Sequence, residues 1–268
     1  MMVMEITFMT HRGIVREENQ DAVFVSGIIR TGNMVAPEVH NFNYEHLPIL
    51  LSVIDGIGGH QGGALAAKIV SETLAENANK KNFFAACASV DENKQRLFCL
   101  FEEASRKLKT AAQASSLLSE MGAVVGGILM HEKSLLAFNC GDCRAYRLRR
   151  GYLERITHDH SIVQELFEQG EINEEEMREH PRKNVITAAI SANSRIKLKL
   201  YAKELSLCEG DIFFLCSDGV WETLSKEELT MLFTQDTSLL DIAQNLFDAL
   251  LLANCRDNIS FICWRIER

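Results

Sequence analysis

The chain has 268 residues, 47% of them hydrophobic, three prolines and a formal net charge of −9. A chain of this size buries roughly 70% or more of its unfolded surface, so it supports a substantial core and a large disordered share is excluded. The acidic balance argues against a general nucleic-acid binder, which needs a basic face for phosphates, and no apolar run approaches the roughly 20 residues that cross a bilayer.

In chain order, residues 5–10 and 21–29 read as strands. Residues 30–48, with Gly32, Pro37 and Pro48, read as an extended loop. Residues 49–54 form an apolar strand running into the glycine-rich turn Asp55-Gly56-Ile57-Gly58-Gly59-His60. Apolar residues three or four apart predict helices over 62–80 and 91–114. Strands follow at 122–130, 134–139, 144–148 and 152–157, the last two flanking Arg150-Gly151 as a hairpin. A helix is expected over 160–169, then a charged excursion over 171–182, strands at 197–204 and 211–217, helices at 225–233 and 238–253, and a last strand at 259–266. Most strand links are too short for a helical crossover, so the sheets are expected to be antiparallel and the fold class α+β. No linker or repeat divides the chain, and one domain over 1–268 is the expectation. The eight cysteines lie mostly in apolar runs and read as reduced core residues. Cys140 and Cys143 have zinc-knuckle spacing but no second pair. The first residues lack a basic region and a long apolar stretch, so a cytoplasmic protein without a signal peptide is expected.

Three aspartates end or follow apolar runs: Asp55 before Gly56, Asp218 before Gly219, and Asp257 before Asn258. Each by itself is an ordinary turn or capping residue. Together they suggest a carboxylate-bound divalent metal, with the Gly56 carbonyl as a further oxygen ligand. Arg16 is a candidate phosphate ligand or a solvated charge, because a guanidinium can fork onto phosphate oxygens. Asp142 sits at a strand-to-strand turn that reads equally as a hairpin. Thr157-His158-Asp159-His160-Ser161 is either an acid/base cluster or a loop that caps the next helix.

The ordered set resembles the metal-dependent serine/threonine protein phosphatases of type 2C, in their bacterial form. It comprises Arg16-Glu17-Glu18-Asn19-Gln20-Asp21-Ala22, Val53-Ile54-Asp55-Gly56-Ile57-Gly58-Gly59-His60, Gly122 with its following strand, Asn139-Cys140-Gly141-Asp142-Cys143-Arg144, Thr157 to Ser161, His180-Pro181-Arg182-Lys183-Asn184-Val185, Cys216-Ser217-Asp218-Gly219-Val220-Trp221 and Arg256-Asp257-Asn258-Ile259-Ser260. The resemblance implies a four-layer α-β-β-α sandwich with two central antiparallel sheets flanked by helix pairs. It implies two or three divalent ions, manganese or magnesium, and hydrolysis of phosphoserine and phosphothreonine in proteins by a hydroxide that bridges two of them. Asp55 would bridge two ions, Gly56 would bind one through its carbonyl, and Asp218 and Asp257 would complete the other. Asp21 would bind directly or hold a metal-bound water, Asp142 would serve a weaker third ion, and Arg16 would hold the substrate phosphate. Residues 167–190 match a mobile flap beside the site, and His60 or His158 could protonate the leaving group. The implied partners are phosphorylated proteins and a cognate serine/threonine kinase, with no nucleic acid or membrane, the chain acting as a monomer.

The chain departs from the pattern in four places. Gln20 replaces a glutamate and is expected to hydrogen-bond a metal water with less charge. Ile57 replaces a histidine, Cys143 replaces a serine, and Ala188-Ala189 replaces an Arg-Ala pair in the flap segment. These departures keep open a weakly catalytic module that docks phosphoproteins. An enzyme for a small phosphorylated metabolite is the other alternative.

Overall fold

The structure, a computed structural model, describes residues 3–43, 48–78, 84, 89–131 and 134–267. Thirteen strands build two sheets. The first is β4 (Glu38–Asn43), β1 (Val3–His11), β13 (Ile259–Glu267), β12 (Ile212–Cys216), β8 (Arg144–Arg149) and β9 (Tyr152–Arg155), in that spatial order. The second runs β11 (Tyr201–Ser206), β7 (Ser134–Cys140), β6 (Gly122–His131), β5 (Ile49–Ile57), β2 (Asp21–Val25) and β3 (Ile28–Thr31), with β10 (Ile190–Ser191) paired to the end of β6. Every pairing between these strands is antiparallel, as the short connections require.

Side chains alternate across each strand, so each sheet has two buried faces to fill. In β2 and β5, Val23, Val25, Ile49, Leu51 and Val53 enter the core shared with the first sheet, beside Met4, Ile6, Phe8, Phe213 and Ile262. Their alternates Ala22, Phe24, Leu50 and Ile54 face α1 (Gly59–Ala78) and α2 (Val90–Ala112) and pack on Ala66, Val70, Leu97 and Phe101. On the far side α6 (Lys226–Phe233) and α7 (Leu239–Leu252) bury Leu229, Phe233, Ile242 and Leu246 against the first sheet. The result is the four-layer sandwich that the resemblance implies. Serines set the helix starts: Ser89 caps α2 and Ser225 caps α6, each in a reciprocal box with a glutamate three residues on.

Four expectations are corrected. Residues 21–29 are not one strand but β2 and the first half of β3, a hairpin turning at Ser26-Gly27. Residues 30–48 are not one loop: β3 continues to Thr31, and β4 pairs with β1 from Val3↔Asn43 to Phe8↔Glu38. β4 is an edge strand that turns His40 and Phe42 inward and leaves Val39 exposed, so its sequence shows no apolar–polar alternation. The charged excursion contains α4 (Glu174–Glu179), capped by Asn173 in a box with Glu176. It buries no residue, so it leaves no apolar period to read. The strand expected at 197–204 lies at Tyr201–Ser206 instead, paired along the edge of β7.

The turn from β5 into α1 is built on close backbone approach. A Cβ at Gly56 would strike the Gly63 carbonyl, and one at Gly63 would strike the Gln20 side chain. Gly56→Ala is expected to cost about 1–3 kcal/mol of unfolding stability through forced backbone displacement. Urea denaturation in chelator measures it, and an unchanged midpoint contradicts the packing argument.

Candidate metal centre

The centre begins with a like-charge pair. Asp21 and Asp55 stand directly opposite each other in the β2–β5 ladder. They continue the strand faces of Val23 and Val53, so both carboxylates stand on the inter-sheet side at one end of the sandwich. Directly opposed side chains in a ladder lie about 5 Å apart at Cβ, and like charges there are destabilising.

The other carboxylates arrive from the first sheet and from the crossing between sheets. Asp218 opens the short helix α5 (Asp218–Trp221) just beyond β12, and Asp257 precedes β13. Asp142 lies between β7 and β8, which belong to different sheets. Its turn is therefore a crossover and not the hairpin that its sequence equally allowed. Gly56 follows Asp55 within β5, and its N–H donates to the Gln20 carbonyl at 3.1 Å. Arg16 reaches the centre by donating from Nη2 to Asp257 Oδ2 at 2.5 Å. The neighbouring Asn258 ties the loop before β2 to this corner. Its Oδ1 accepts from Gln20 N at 2.9 Å, and its Nδ2 donates to Arg12 O at 3.1 Å and Glu18 O at 3.0 Å.

Burial and mutual repulsion raise the carboxyl pKa values. Asp55 is held well above the usual range by burial, then by the charges of Asp21, Asp218, Asp142 and Asp257. Asp218 is likewise held well above it by burial, then by Asp142, Asp257, Asp21 and Glu222. Asp21 is pushed up to about 6, chiefly by burial and then by the Asp257 charge, against the opposing pull of hydrogen bonds with Ser260, Ser217 and Asp55. Asp142 is pushed up to about 7 by burial and Asp159, with Arg144 pulling down. Such a set lowers its energy by taking up cations, and its donors are oxygens, as manganese and magnesium prefer. Among the described residues no three of His, Cys, Asp or Glu form a ready-made shell for one ion.

The histidine cluster is not a second ligand set. His158 Nε2 lies 2.7 Å from Glu168 Oε1, and its ring stacks on Tyr201. His160 Nδ1 accepts the Gly141 N–H at 3.0 Å, and burial lowers its pKa, which favours the neutral acceptor. Asp159 takes the Arg144 guanidinium at 2.6 Å, and Ser161 caps α3 (Ile162–Glu168). His158 is therefore engaged away from the carboxylates, and the His60 side chain lies outside the described residues. Gln20 donates from Nε2 to the Gly59 carbonyl at 3.1 Å and so braces the glycine turn. Ile57 packs against the inter-sheet core. Cys140, Cys143, Cys216, Cys255 and Cys263 are free and buried, Cys99 and Cys208 are free and exposed, and Cys87 lies outside the described residues.

The sequence reading missed the buried hydroxyls behind Asp21. Ser217 Oγ donates to Asp21 Oδ2 at 2.9 Å and accepts from Ser260 N at 3.2 Å. Thr10 Oγ1 lies 2.8 Å from Ser260 Oγ and accepts from Asn19 Nδ2 at 2.8 Å. Ser217 stands beside Asp218, and Asn19 and Ser260 lie close to Asp21 and Asp257 in the chain, but Thr10 carries no such signal in sequence.

A family model described as Protein phosphatase 2C matches residues 36–250. The chain is 26% identical over 259 residues to serine/threonine phosphatase stp of Listeria monocytogenes, covering 97% of this chain and 94% of that protein. It is 27% identical over 261 residues to serine/threonine protein phosphatase PstP of Mycobacterium tuberculosis, covering 97% of this chain and 45% of PstP. A solved serine/threonine phosphatase of S. agalactiae aligns with a TM-score of 0.83 at 26% identity, covering 98% of this chain and all of that one. The catalytic domain of PstP, solved with two manganese ions, shares the fold at a TM-score of 0.78 and 23% identity over the whole of both chains.

The raised carboxyls give the metal-free protein a pH signature. The folded chain keeps protons that the unfolded chain has released above about pH 4. This stabilisation is complete below that value and is lost as pH rises through about 6 for Asp21 and about 7 for Asp142. In chelator, the melting temperature is expected to rise on acidifying from about pH 8 to about pH 5.5. Asp55→Asn removes the charge facing Asp21 and should raise melting at the upper pH while shrinking that rise. Identical pH profiles for the two proteins would refute the repulsion account.

Proposed function

Because the chain belongs to the protein phosphatase 2C family, we propose that it hydrolyses phosphoserine and phosphothreonine in proteins, with two divalent ions, manganese or magnesium, and a weaker third. The observation that carries this reading is the opposed Asp21–Asp55 pair, with Asp142, Asp218 and Asp257 close enough to raise the Asp55 pKa. When bound, the ions supply Lewis acidity and lower the pKa of water to near neutrality, which gives a nucleophile without a covalent phospho-enzyme.

The chain's own residues hold and orient. Asp55, on a rigid central strand, is the proposed bridge between two ions, and the Gly56 carbonyl is the proposed ligand beside it. Asp218 and Asp257 would hold the second ion from the other sheet. Asp21, fixed by the Ser217 hydroxyl, would bind directly or orient a water. Asp142 is proposed for the third ion. Arg16 has its side chain 55% exposed and uses one nitrogen on Asp257, so the rest of its five-donor fork can meet a phosphate oxygen.

The proposed flap over residues 167–190 is rooted next to this corner. Thr187 N donates to His160 O at 2.7 Å, and Ile162 N to Val185 O at 2.9 Å. Its buried Ala188 and Ala189 offer no cation to substrate, in keeping with the missing arginine. The two cores share the central sheets, which supports one domain over 1–268. Among the described residues no helix is long and apolar enough to cross a membrane. The proposed setting is a cytoplasmic monomer opposing a serine/threonine kinase.

Purified protein with manganese is expected to turn over a phosphothreonine peptide repeatedly. Asp55→Asn should lower kcat/KM roughly 1,000-fold, about 4 kcal/mol of barrier. Arg16→Ala should raise KM roughly tenfold, the value of one charge-assisted bond. Steady-state assays on phosphoserine, phosphothreonine and phosphotyrosine peptides measure these effects. Turnover that survives chelator or Asp55→Asn sinks the proposal.

A further inference from the structure

Two side chains outside the carboxylate set clamp the Asp142 turn. Trp221 Nε1 donates to the Asp142 carbonyl at 3.1 Å. The Arg144 guanidinium lies 3.5 Å from the centroid of the Trp221 ring, on its face. The same guanidinium forks onto Asp159, with Nη2 to Oδ2 at 2.6 Å, Nε to Oδ2 at 3.1 Å and Nε to Oδ1 at 3.2 Å. Asp159 is 3% exposed and also receives Arg155 at 3.2 Å. Trp221 closes the helix that Asp218 opens, so one indole joins the Asp142 backbone to the element carrying Asp218.

The residue before Asp142 is held from the opposite side. Gly141 N donates to His160 Nδ1 at 3.0 Å, and its carbonyl accepts from His160 N at 2.9 Å and Asn139 Nδ2 at 2.8 Å. Gly141 has φ +102°, and a Cβ there would overlap Val124, so the turn has no slack on that side. With both flanking peptides tied, the freedom left to Asp142 is its side-chain rotation.

We propose that Arg144 and Trp221 are positioning residues that set the Asp142 carboxylate for a hard divalent cation. The proposal rests on the reading of Asp142 as a ligand of the weaker third ion. Trp221 fixes where the Asp142 peptide stands relative to Asp218, and Arg144 fixes the plane of the indole by stacking on one face while Asp159 holds its fork. A lysine cannot do both, because it lacks the planar fork that pairs and stacks at once. Partners that orient a ligand typically change metal affinity by roughly 10–100-fold when lost. A role limited to gluing α5 onto the turn would change thermal stability and leave ion binding unmoved.

The test is calorimetric titration of the full chain with manganese, alongside melting curves. Three variants are compared with wild type: Trp221→Phe, which keeps the ring and loses the N–H; Arg144→Lys; and Asp142→Asn. Expected are a low-affinity phase absent from Asp142→Asn and weakened roughly tenfold in Trp221→Phe and Arg144→Lys, with the tighter phase within about twofold of wild type. Trp221→Phe preserves the packed shape, so its result decides should Arg144→Lys fail to fold. A low-affinity phase of wild-type strength in Trp221→Phe, with that phase lost in Asp142→Asn, overturns the positioning role alone. A phase that survives Asp142→Asn overturns the assignment of Asp142 and the positioning role with it.

Discussion

The molecule is organised around a repulsion. Two carboxylates, Asp21 and Asp55, face each other across one ladder, and three more close in from the first sheet and the crossover. No isolated strand pair would hold that arrangement, because like charges directly opposed in a ladder weaken it. The apolar residues of both sheets hold it. Val23, Leu51 and Val53 on one side and Phe8, Phe213 and Ile262 on the other lock the strands whose ends carry the acids. A cation is the natural resolution of such a cluster, and a core this continuous keeps the donors in place before one arrives.

Polar groups finish what the core begins. Ser217, Ser260, Thr10 and Asn19 form a buried chain behind Asp21, so that carboxylate is anchored by hydroxyls and not by a competing cation. Asn258 stitches the loop bearing Arg16 to the corner bearing Asp257. Arg144, stacked on Trp221 and forked onto Asp159, is a half-buried cation with its acid, set beside the carboxylates without entering them. Lys183 and Glu222, just past the end of α5, form a solvent-facing pair at 3.7 Å, a contact of the kind that contributes little in water.

Legibility followed the physical origin of each signal. Helices that bury a stripe, such as α2 with Leu97, Phe101 and Leu108, could be read from their period. So could the buried strands, whose apolar runs end at the acids. The edge strand β4 and the surface helix α4 could not, because neither has an apolar face that sequence alone resolves. The histidines at 158 and 160 carry the residue types of a catalytic cluster. Their use as a surface partner of Glu168 and a backbone acceptor depends on which atoms lie across the fold.

The order of the chain by itself determined that strand ends carry aspartates followed by glycine or asparagine, and that the whole series resembles one phosphatase family. Those are local facts, written by turn chemistry and burial period. Tertiary structure alone decided that Asp21 confronts Asp55, that Asp142 lies on a crossover between sheets, and that Gln20 braces the Gly59 carbonyl. The Asp21–Asp55 and Gln20–Gly59 pairings join residues 34 and 39 positions apart. They follow from strand register and sheet stacking, which no window of sequence contains.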